Sequence, residues 1–375
     1  MRRILIVSHT YVAPENRGKL RALAARDLEI TVGVPQRWKE PILGRVIETT
    51  WERQSGLELF PIPAREAGQP QVYRFGRRAL TALIRDKRPD LVQIEEEPTA
   101  LAARQVARVA AALGVPVVVF GTENRDRPVP FSIRWRRRRT LRLARGLAGA
   151  SQAAAALLQQ YVPPPPRDGS RAIPIAVIPQ LGVHVPTTPE HQMHEGLAVG
   201  YVGRLVPARG VDTLLQALAA NRGLPWHLTL VGDGPDRERL EALASGLRLA
   251  ARVRWSGALP PAHLARLWPE LDVLVLPSRQ LPDWDEPHGH VLAEAMAHEV
   301  AVVGTQAGVI PEVIGDAGLL VPSDDVAALA EALRRLAVDG ERRPLAQAGR
   351  ARAMRLFSDE AVAERTMTFW RDVIG

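Results

Sequence analysis

The sequence predicts an α/β protein built from two doubly wound, Rossmann-like domains. Short apolar runs rich in Val, Ile and Leu alternate with helical patterns along the whole chain, as parallel sheets covered by helices require. At 375 residues the chain is long for one core, and chains of this size tend to divide. The alternation also restarts near residue 197, after a stretch with no periodicity.

In the first half the clear strands are 4–8, 28–34, 91–94 and 115–120, with helices at 74–86 and 99–113. A shorter strand lies within 146–151, and 176–179 closes the half. In the second half the strands are 197–202, 226–231, 253–256, 273–276 and 301–304. Helices follow from about Val211, Arg237, Ala262, His290, Val326 and Glu341, and 359–374 reads as an amphipathic helix. The expected scheme is a first domain over 1–185, joined by the C-terminal helix 359–375, a linker over 186–196 and a second domain over 197–358. The four prolines at 163–166 read as a stiff, exposed loop tip rather than a boundary. Open sheets of this kind bind ligands at the carboxyl ends of their strands, so two facing domains are expected to form a cleft.

Composition narrows the chemistry. No apolar run approaches the 18 or more residues of a membrane span. The apolar start at residues 4–7 is too short for a secretory signal and reads as a first strand, so a cytoplasmic protein is expected. Cysteine is absent, which excludes disulfides, thiolate zinc sites and thiol nucleophiles. The net charge is +8, from 46 arginines and only three lysines against 41 acidic residues. Such a surface suits phosphorylated substrates, anionic lipid or nucleic acid. Arginines recur over residues 134–145 beside Trp135, Leu141 and Leu143, a pattern that could lie on an anionic membrane. Aromatics are too sparse there for a single-strand nucleic-acid platform, and no nucleic-acid partner is expected.

Three segments carry the phosphate chemistry. The run 203–210 leaves the first strand of the second half; Gly203 allows a tight turn, and Arg204 and Arg209 fall at its mouth. Two fixed guanidiniums can grip a diphosphate by forked hydrogen bonds without a metal. At 231–235, Gly232 and Gly234 form a glycine turn that suits an anion near backbone N–H groups, but Arg237 occupies the place of a third glycine, so a dinucleotide fingerprint is not supported. In 286–297, Glu286 and Glu294 flank a glycine, Gly289. A helix beginning there would point its free N–H groups at a phosphate, and the carboxylates could accept sugar or ribose hydroxyls.

These segments, with 305–312, occur in order at strand ends of one domain. They resemble the donor domain of retaining family 4 glycosyltransferases (glycosyl transferases group 1), which have the GT-B architecture. The run 178–184 is similar to that family's hinge-proximal strand, with one extra residue before Gly182 and His184 in place of aspartate. The resemblance is specific over 176–375 and architectural in the first half. It implies a glycosyltransferase with no cofactor, using a UDP-, GDP- or ADP-linked sugar and a hydroxyl acceptor. Arg204 and Arg209 would bind the diphosphate, Glu294 the ribose, and Glu286 the sugar at the reacting centre. Backbone groups of Gly289, His290 and Val291 would cap the β-phosphate or sugar, and the base would lie near 255–259. The family's retention of configuration is ascribed to attack from the leaving-group face, with a donor phosphate oxygen taking the proton.

Other readings keep part of this evidence. An epimerase or hydrolase on the same fold, or a non-catalytic sugar-nucleotide-binding module, would share the donor site. Asp283 and Asp285 form a DxD triplet, which binds a divalent metal in a different architecture; here it precedes Glu286 in a loop, and no metal is expected. The pairs His288/His290 and His191/His194 each lack a third ligand nearby. On the acceptor side the loops after the first-half strands supply His9, Asn16, Glu96, Glu97, Glu123 and Asn124 as polar candidates. The resemblance singles out His9, since members of the family place a histidine there.

Overall fold

A computed structural model describes residues 2–39, 46–162, 172–192 and 194–375. The chain divides into two compact units, Met1–Gly182 with Asp359–Gly375, and Val183–Ser358. Residues 186–196, expected as a linker, are counted with the second unit. The proline run at 163–166 lies outside the described residues.

The first unit has an eight-stranded sheet. Its order is Ile175–Val177, Gly146–Gly149, Val117–Gly121, Leu91–Ile94, Arg3–Val7, Glu29–Pro35, Leu57–Ile62 and Glu52–Gln54. All neighbours are parallel except the last pair. Ile4–Val7, Leu91–Ile94 and Val117–Gly121 are buried throughout, because helices cover both faces of such a sheet and a period-two pattern has no place in it. The strand Leu57–Ile62 was not read from sequence. Its Glu58 and Pro61 break the apolar run, and the single strand outside it, Glu52–Gln54, is exposed. The helix expected at 74–86 begins at Arg77, with Arg74–Phe75 pairing as a short strand instead.

The second unit holds six parallel strands in the order Val253–Gly257, Trp226–Val231, Leu197–Val202, Val273–Leu276, Ala301–Thr305 and Leu319–Val321. The five strands read from sequence are all present; Leu319–Val321 is additional. In both units the first strand has the second on one side and a later strand on the other, so the winding reverses beside it.

The terminal helix Asp359–Ile374 packs on Gly18–Ala24 within the first unit. Its Trp370 is fully buried and donates from Nε1 to Gln93 Oε1 at 2.6 Å. Gln93 Nε2 donates to Glu95 Oε1 at 2.6 Å, and Lys19 Nζ donates to the same oxygen at 2.7 Å and to the Gln180 carbonyl at 2.6 Å. Tyr11 donates to Glu95 Oε2 at 2.5 Å. Burial, and then the charge of Glu95, push the Tyr11 phenol well above its ordinary pKa, so it stays a donor. The Lys19–Glu95 pair is 1% and 0% exposed. It ties the helix Gly18–Ala24, the strand Leu91–Ile94 and the segment before Gly182 into one polar core.

Breaking a buried pair from one side strands a desolvated charge, which costs about 3–5 kcal/mol. Lys19→Met is expected to lower the urea midpoint of the first unit's transition accordingly, and Lys19→Met/Glu95→Gln to recover part of that loss. An unchanged midpoint in the single variant would refute the role given to this pair.

Candidate donor and acceptor sites

In the second unit the loops leaving Leu197–Val202 and Val273–Leu276 part where the winding reverses, the place where open α/β sheets hold ligands. The loop after the first strand is pressed against the loop after the second. Gly203 N–H donates to Val231 O at 2.9 Å, and Leu205 N–H to Asp233 O at 2.9 Å. A Cβ on Gly232, whose φ is +137°, would stand 1.8 Å from Gly203 O. The Gly232 N–H itself donates to Gly257 O at 2.8 Å. What this glycine provides is the close approach of two backbones, and its N–H is already engaged.

Arg209 is held on a braced loop. Arg279, just beyond the fourth strand position, donates its N–H to Ala208 O at 2.8 Å and its Nη1 to Pro207 O at 2.5 Å. Its Nη2 reaches Asp212 Oδ1 at 2.9 Å and its Nε reaches Asp324 Oδ1 at 2.6 Å. Asp212 also receives Arg239 Nη2 at 3.1 Å. Burial opposes ionisation of Asp212, but the bonds and charges of Arg279 and Arg239 outweigh it and hold the carboxyl below its ordinary range.

Arg209 Nη1 donates to Glu286 Oε2. The Glu286 side chain is only 3% exposed. Ser278 Oγ donates to the same oxygen at 2.9 Å, and Gly289 N–H lies 3.5 Å from Oε1. The Glu286 carbonyl accepts Val309 N–H at 3.1 Å, and a Cβ on Gly308 would stand 2.2 Å from that carbonyl. The residue is thus fixed from its backbone and from its carboxylate. Ser278 is held in turn, its carbonyl accepting from Thr305 Oγ1 and, at 3.2 Å, from Ser323 Oγ.

Gly289 caps the helix His290–Ala297 at φ +56°, so the helix begins where the sequence placed it. Val291 lies in its first turn, and Glu294 one turn on, with Oε1 3.3 Å from His290 Nε2. Arg204 is exposed, and its carbonyl receives the Tyr201 hydroxyl at 2.7 Å. Asp283 and Asp285 flank Trp284 in a tight turn closed by Leu281, and the Trp284 ring lies 5.3 Å from Arg209 Cζ. Among the described residues no three His, Asp or Glu side chains are placed to share a metal ion. The structure therefore joins Arg209, Glu286 and Gly289 directly. Ser278, Arg279 and Tyr201 belong to the same cluster and were not singled out from sequence, since a serine or arginine beyond a strand carries no distinguishing pattern.

In the first unit His9 follows the strand Arg3–Val7. Its N–H and its Nδ1 both lie 2.7 Å from Glu96 Oε1, and Tyr73 donates its hydroxyl to that oxygen at 2.6 Å. The imidazole stacks on Trp38 with ring centres 4.4 Å apart. The three adjacent carboxylates have different fates. Glu95 belongs to the buried pair with Lys19, and Glu96 holds His9. Glu97 accepts Thr122 N–H at 2.6 Å, Thr122 Oγ1 at 2.5 Å and Glu123 N–H at 3.2 Å. Burial, then the charge of Glu123, raise the Glu97 pKa to about 7. Asn16 Nδ2 donates to Thr10 O at 2.9 Å, closing its own turn. Asn124 lies in the loop after Val117–Gly121. Tyr73 and Trp38 were not read as site residues; Trp38 comes from the short strand Arg37–Lys39 that follows Glu29–Pro35, and Tyr73 from just before the short strand Arg74–Phe75.

Residues 196–339 match the glycosyl transferases group 1 family, and residues 12–175 a glycosyl transferase 4-like domain. Over 143 residues the chain is 40% identical to an exopolysaccharide phosphotransferase of Streptomyces coelicolor, covering 36% of this chain and 14% of that one. Over 195 residues it is 32% identical to the D-inositol 3-phosphate glycosyltransferase of Acidothermus cellulolyticus, covering 48% of this chain and 42% of that one. The matched stretches thus span less than half the length of these relatives. Among solved structures, sucrose-phosphate synthase from Thermosynechococcus elongatus superposes with a TM-score of 0.74 at 21% identity, over 100% of this chain and 99% of the other. The Anabaena protein HepE in complex with UDP-glucose gives 0.66 at 19% identity, over 99% and 100%. At these identities the likeness establishes the shared fold.

Because the Asp212 carboxyl is depressed in the folded state, its stabilisation is present above the unfolded value, about 3.9, and is lost as pH falls through the folded value. Urea midpoints measured from pH 5 downward are expected to fall less steeply in Asp212→Asn than in the parent. Parallel curves would show that Arg279 and Arg239 do not hold this charge.

Proposed function

We propose that this chain, which belongs to the GT-B glycosyltransferases through its group 1 and 4-like domains, moves a sugar from a nucleoside-diphosphate sugar to a hydroxyl acceptor, with retention and without a metal ion. The observation that carries the reading is the Arg209–Glu286 pair, set where the winding of the group 1 unit reverses. Arg209 is oriented before any ligand arrives, and Arg204 extends from the same loop. A departing diphosphate gathers negative charge, and two guanidiniums can meet it as a divalent cation would. Glu286, steadied by Ser278, is placed to accept from sugar hydroxyls, and Glu294 from the ribose. The first-turn backbone of Gly289, His290 and Val291 serves the β-phosphate. Retention follows the family to which the donor motifs point. HepE was solved with UDP-glucose, which makes UDP the first nucleotide to try.

The test is thermal denaturation with UDP, GDP, ADP and dTDP and their sugar conjugates in EDTA. One nucleotide at about 100 times its Kd should stabilise by roughly 2.7 kcal/mol, and Arg204→Ala should abolish the shift. Glu286→Ala should lower turnover more than tenfold with its circular dichroism unchanged. Near-parental turnover in that variant would remove Glu286 from the mechanism, and strict dependence on manganese would overturn metal independence.

A peripheral membrane contact is the second part of the reading. The helix Phe131–Leu141 leaves Phe131 73% and Trp135 46% exposed. Arg134, Arg138, Arg139, Arg142 and Arg145 are exposed on and just beyond it. Rings that enter the headgroup layer between cations suit an anionic surface. No helix among the described residues is long and apolar enough to cross a membrane. Sedimentation with phosphatidylglycerol vesicles is expected for the parent and reduced several-fold in Phe131→Ser/Trp135→Ser; no binding by the parent would end this part of the reading.

A further inference from the structure

In the first unit the turn between the helix Gly18–Ala24 and the strand Glu29–Pro35 carries Arg26, Asp27 and Leu28, with Asp27 at a φ of +58°. Beside it the chain start and the terminal helix close a hollow of about 420 Å³, lined by Arg2, Arg26, Asp27, Leu28, Met367 and Arg371. That volume falls within the range of small-molecule sites. Three guanidiniums from three separate segments meet there. Arg26 is fixed in place: its Nη1 donates to Ala22 O at 2.5 Å, its Nη2 to Glu360 O at 3.2 Å and its Nε lies 3.3 Å from Glu364 Oε2. The other two have little to hold them. Arg2 Nε stands 3.6 Å from Glu29 Oε1 with the side chains 76% and 61% exposed, a pairing of small worth. Among the described residues the Arg371 guanidinium has only Met367 Sδ, at 3.4 Å, as a partner, and a thioether is a weak acceptor. Leu28 and Met367 are buried and give the hollow an apolar floor. Glu29 and Glu364 touch Arg2 and Arg26 from outside it, so Asp27 is the one carboxylate in the lining.

We propose that this hollow binds a phosphate monoester, with Arg2 and Arg371 as its ligands and Arg26 as a fixed third charge. Three positive charges against one negative leave the lining at +2, which a phosphate monoester, close to a dianion at neutral pH, cancels. The oxygen count points the same way. Each guanidinium presents a fork that takes two oxygens; a tetrahedral phosphate can serve forks from two directions, whereas a carboxylate is used up by one. The apolar floor of Leu28 and Met367 suits the carbon skeleton beyond the ester oxygen. Arg2 precedes the strand Arg3–Val7 and His9 follows it, so the hollow lies at the opposite end of that strand from the His9–Glu96 cluster. Arg209 belongs to the other unit. The site is therefore separate from both clusters of the transfer reading and stands without it. Occupancy would tie the terminal helix Asp359–Ile374 to the turn at Arg26–Leu28 and to the chain start, which makes the bound anion a stabiliser of the first unit.

The test is calorimetric titration of the full chain with inorganic phosphate, glucose 6-phosphate and glucose. The two phosphates should bind and glucose should not. In Arg2→Ser/Arg371→Ser the affinity for glucose 6-phosphate should fall at least about tenfold, the loss expected when charge-assisted hydrogen bonds are removed. Both arginines are exposed, so the circular dichroism and urea midpoint of that variant without ligand should match the parent. Arg209→Ala should bind glucose 6-phosphate as the parent does, which separates this site from the one in the second unit. A second arm decides whether the monoester is free or a lipid headgroup. Sedimentation with phosphatidic acid vesicles is compared with phosphatidylglycerol, whose headgroup is a diester. An excess with phosphatidic acid that disappears in Arg2→Ser/Arg371→Ser would assign the site to the lipid monoester. No binding by the parent in either arm, unchanged binding in the double variant, or loss of glucose 6-phosphate binding in Arg209→Ala would each overturn the proposal.

Discussion

Both units are governed by one constraint, the reversal of winding beside the first strand. Where successive connections run to opposite sides of a sheet, the loops leaving two adjacent parallel strands must part. The gap holds backbone groups and side chains that the sheet cannot pair. Each unit meets this in a related way. In the first, His9 from the first strand's loop is held by Glu96 from its neighbour's loop. In the second, Arg209 from the first strand's loop is held by Glu286, which lies beyond the neighbouring strand. A nitrogen donor from one side and a carboxylate from the other close each gap, leaving polar atoms oriented toward whatever binds there.

The unusual basic composition is explained in part by the same need. Several arginines are spent on backbone carbonyls rather than on partners. Arg252 caps the carbonyls of Trp226, Arg222 and Leu224, and Arg352 those of Val313 and Glu312. Arg279 does the same for Pro207 in the loop that carries Arg209. A guanidinium offers five donors in a rigid plane and tolerates partial burial, so one side chain can end several loops. Lys19, one of only three lysines, occupies the opposite niche. Its site offers a carboxylate oxygen and a carbonyl at the point of a compact ammonium.

The sheets were legible because a strand buried on both faces must be apolar at nearly every position. The reading failed where that condition lapses, at Leu57–Ile62 on the outer side of the sheet and at the three-residue strand Leu319–Val321. The Arg209–Glu286 cluster was legible through Gly203, Arg209, Glu286 and Gly289, each of which marks a turn or helix start with charge beside it. The cluster around His9 in the first unit was only partly legible. Glu95, Glu96 and Glu97 are identical in sequence, but neighbouring side chains leave an extended backbone in different directions, and one faces Lys19, one His9 and one Thr122. Which of them holds His9 depends on Tyr73 and Trp38, which come from segments with no periodic pattern of their own.

The Arg209–Glu286 pair also bears on how a donor would be received. A buried carboxylate carries a desolvation cost that one ion pair barely offsets. Glu286 adds a hydroxyl from Ser278 and the approach of Gly289 N–H, so its charge is supported even when Arg209 is shared. An incoming diphosphate would compete for the guanidinium without leaving the carboxylate bare. The arginine would need little reorientation, since Arg279 already fixes the loop that carries it. In such an arrangement the cost of ordering the site is met during folding, and electrostatic stabilisation is in place when charge develops on the leaving group. The same logic explains why so much of the loop is tied by backbone contacts at Gly203 and Gly232. A guanidinium on a mobile loop would bind phosphate, but it would not hold the charge in the position where the bond breaks.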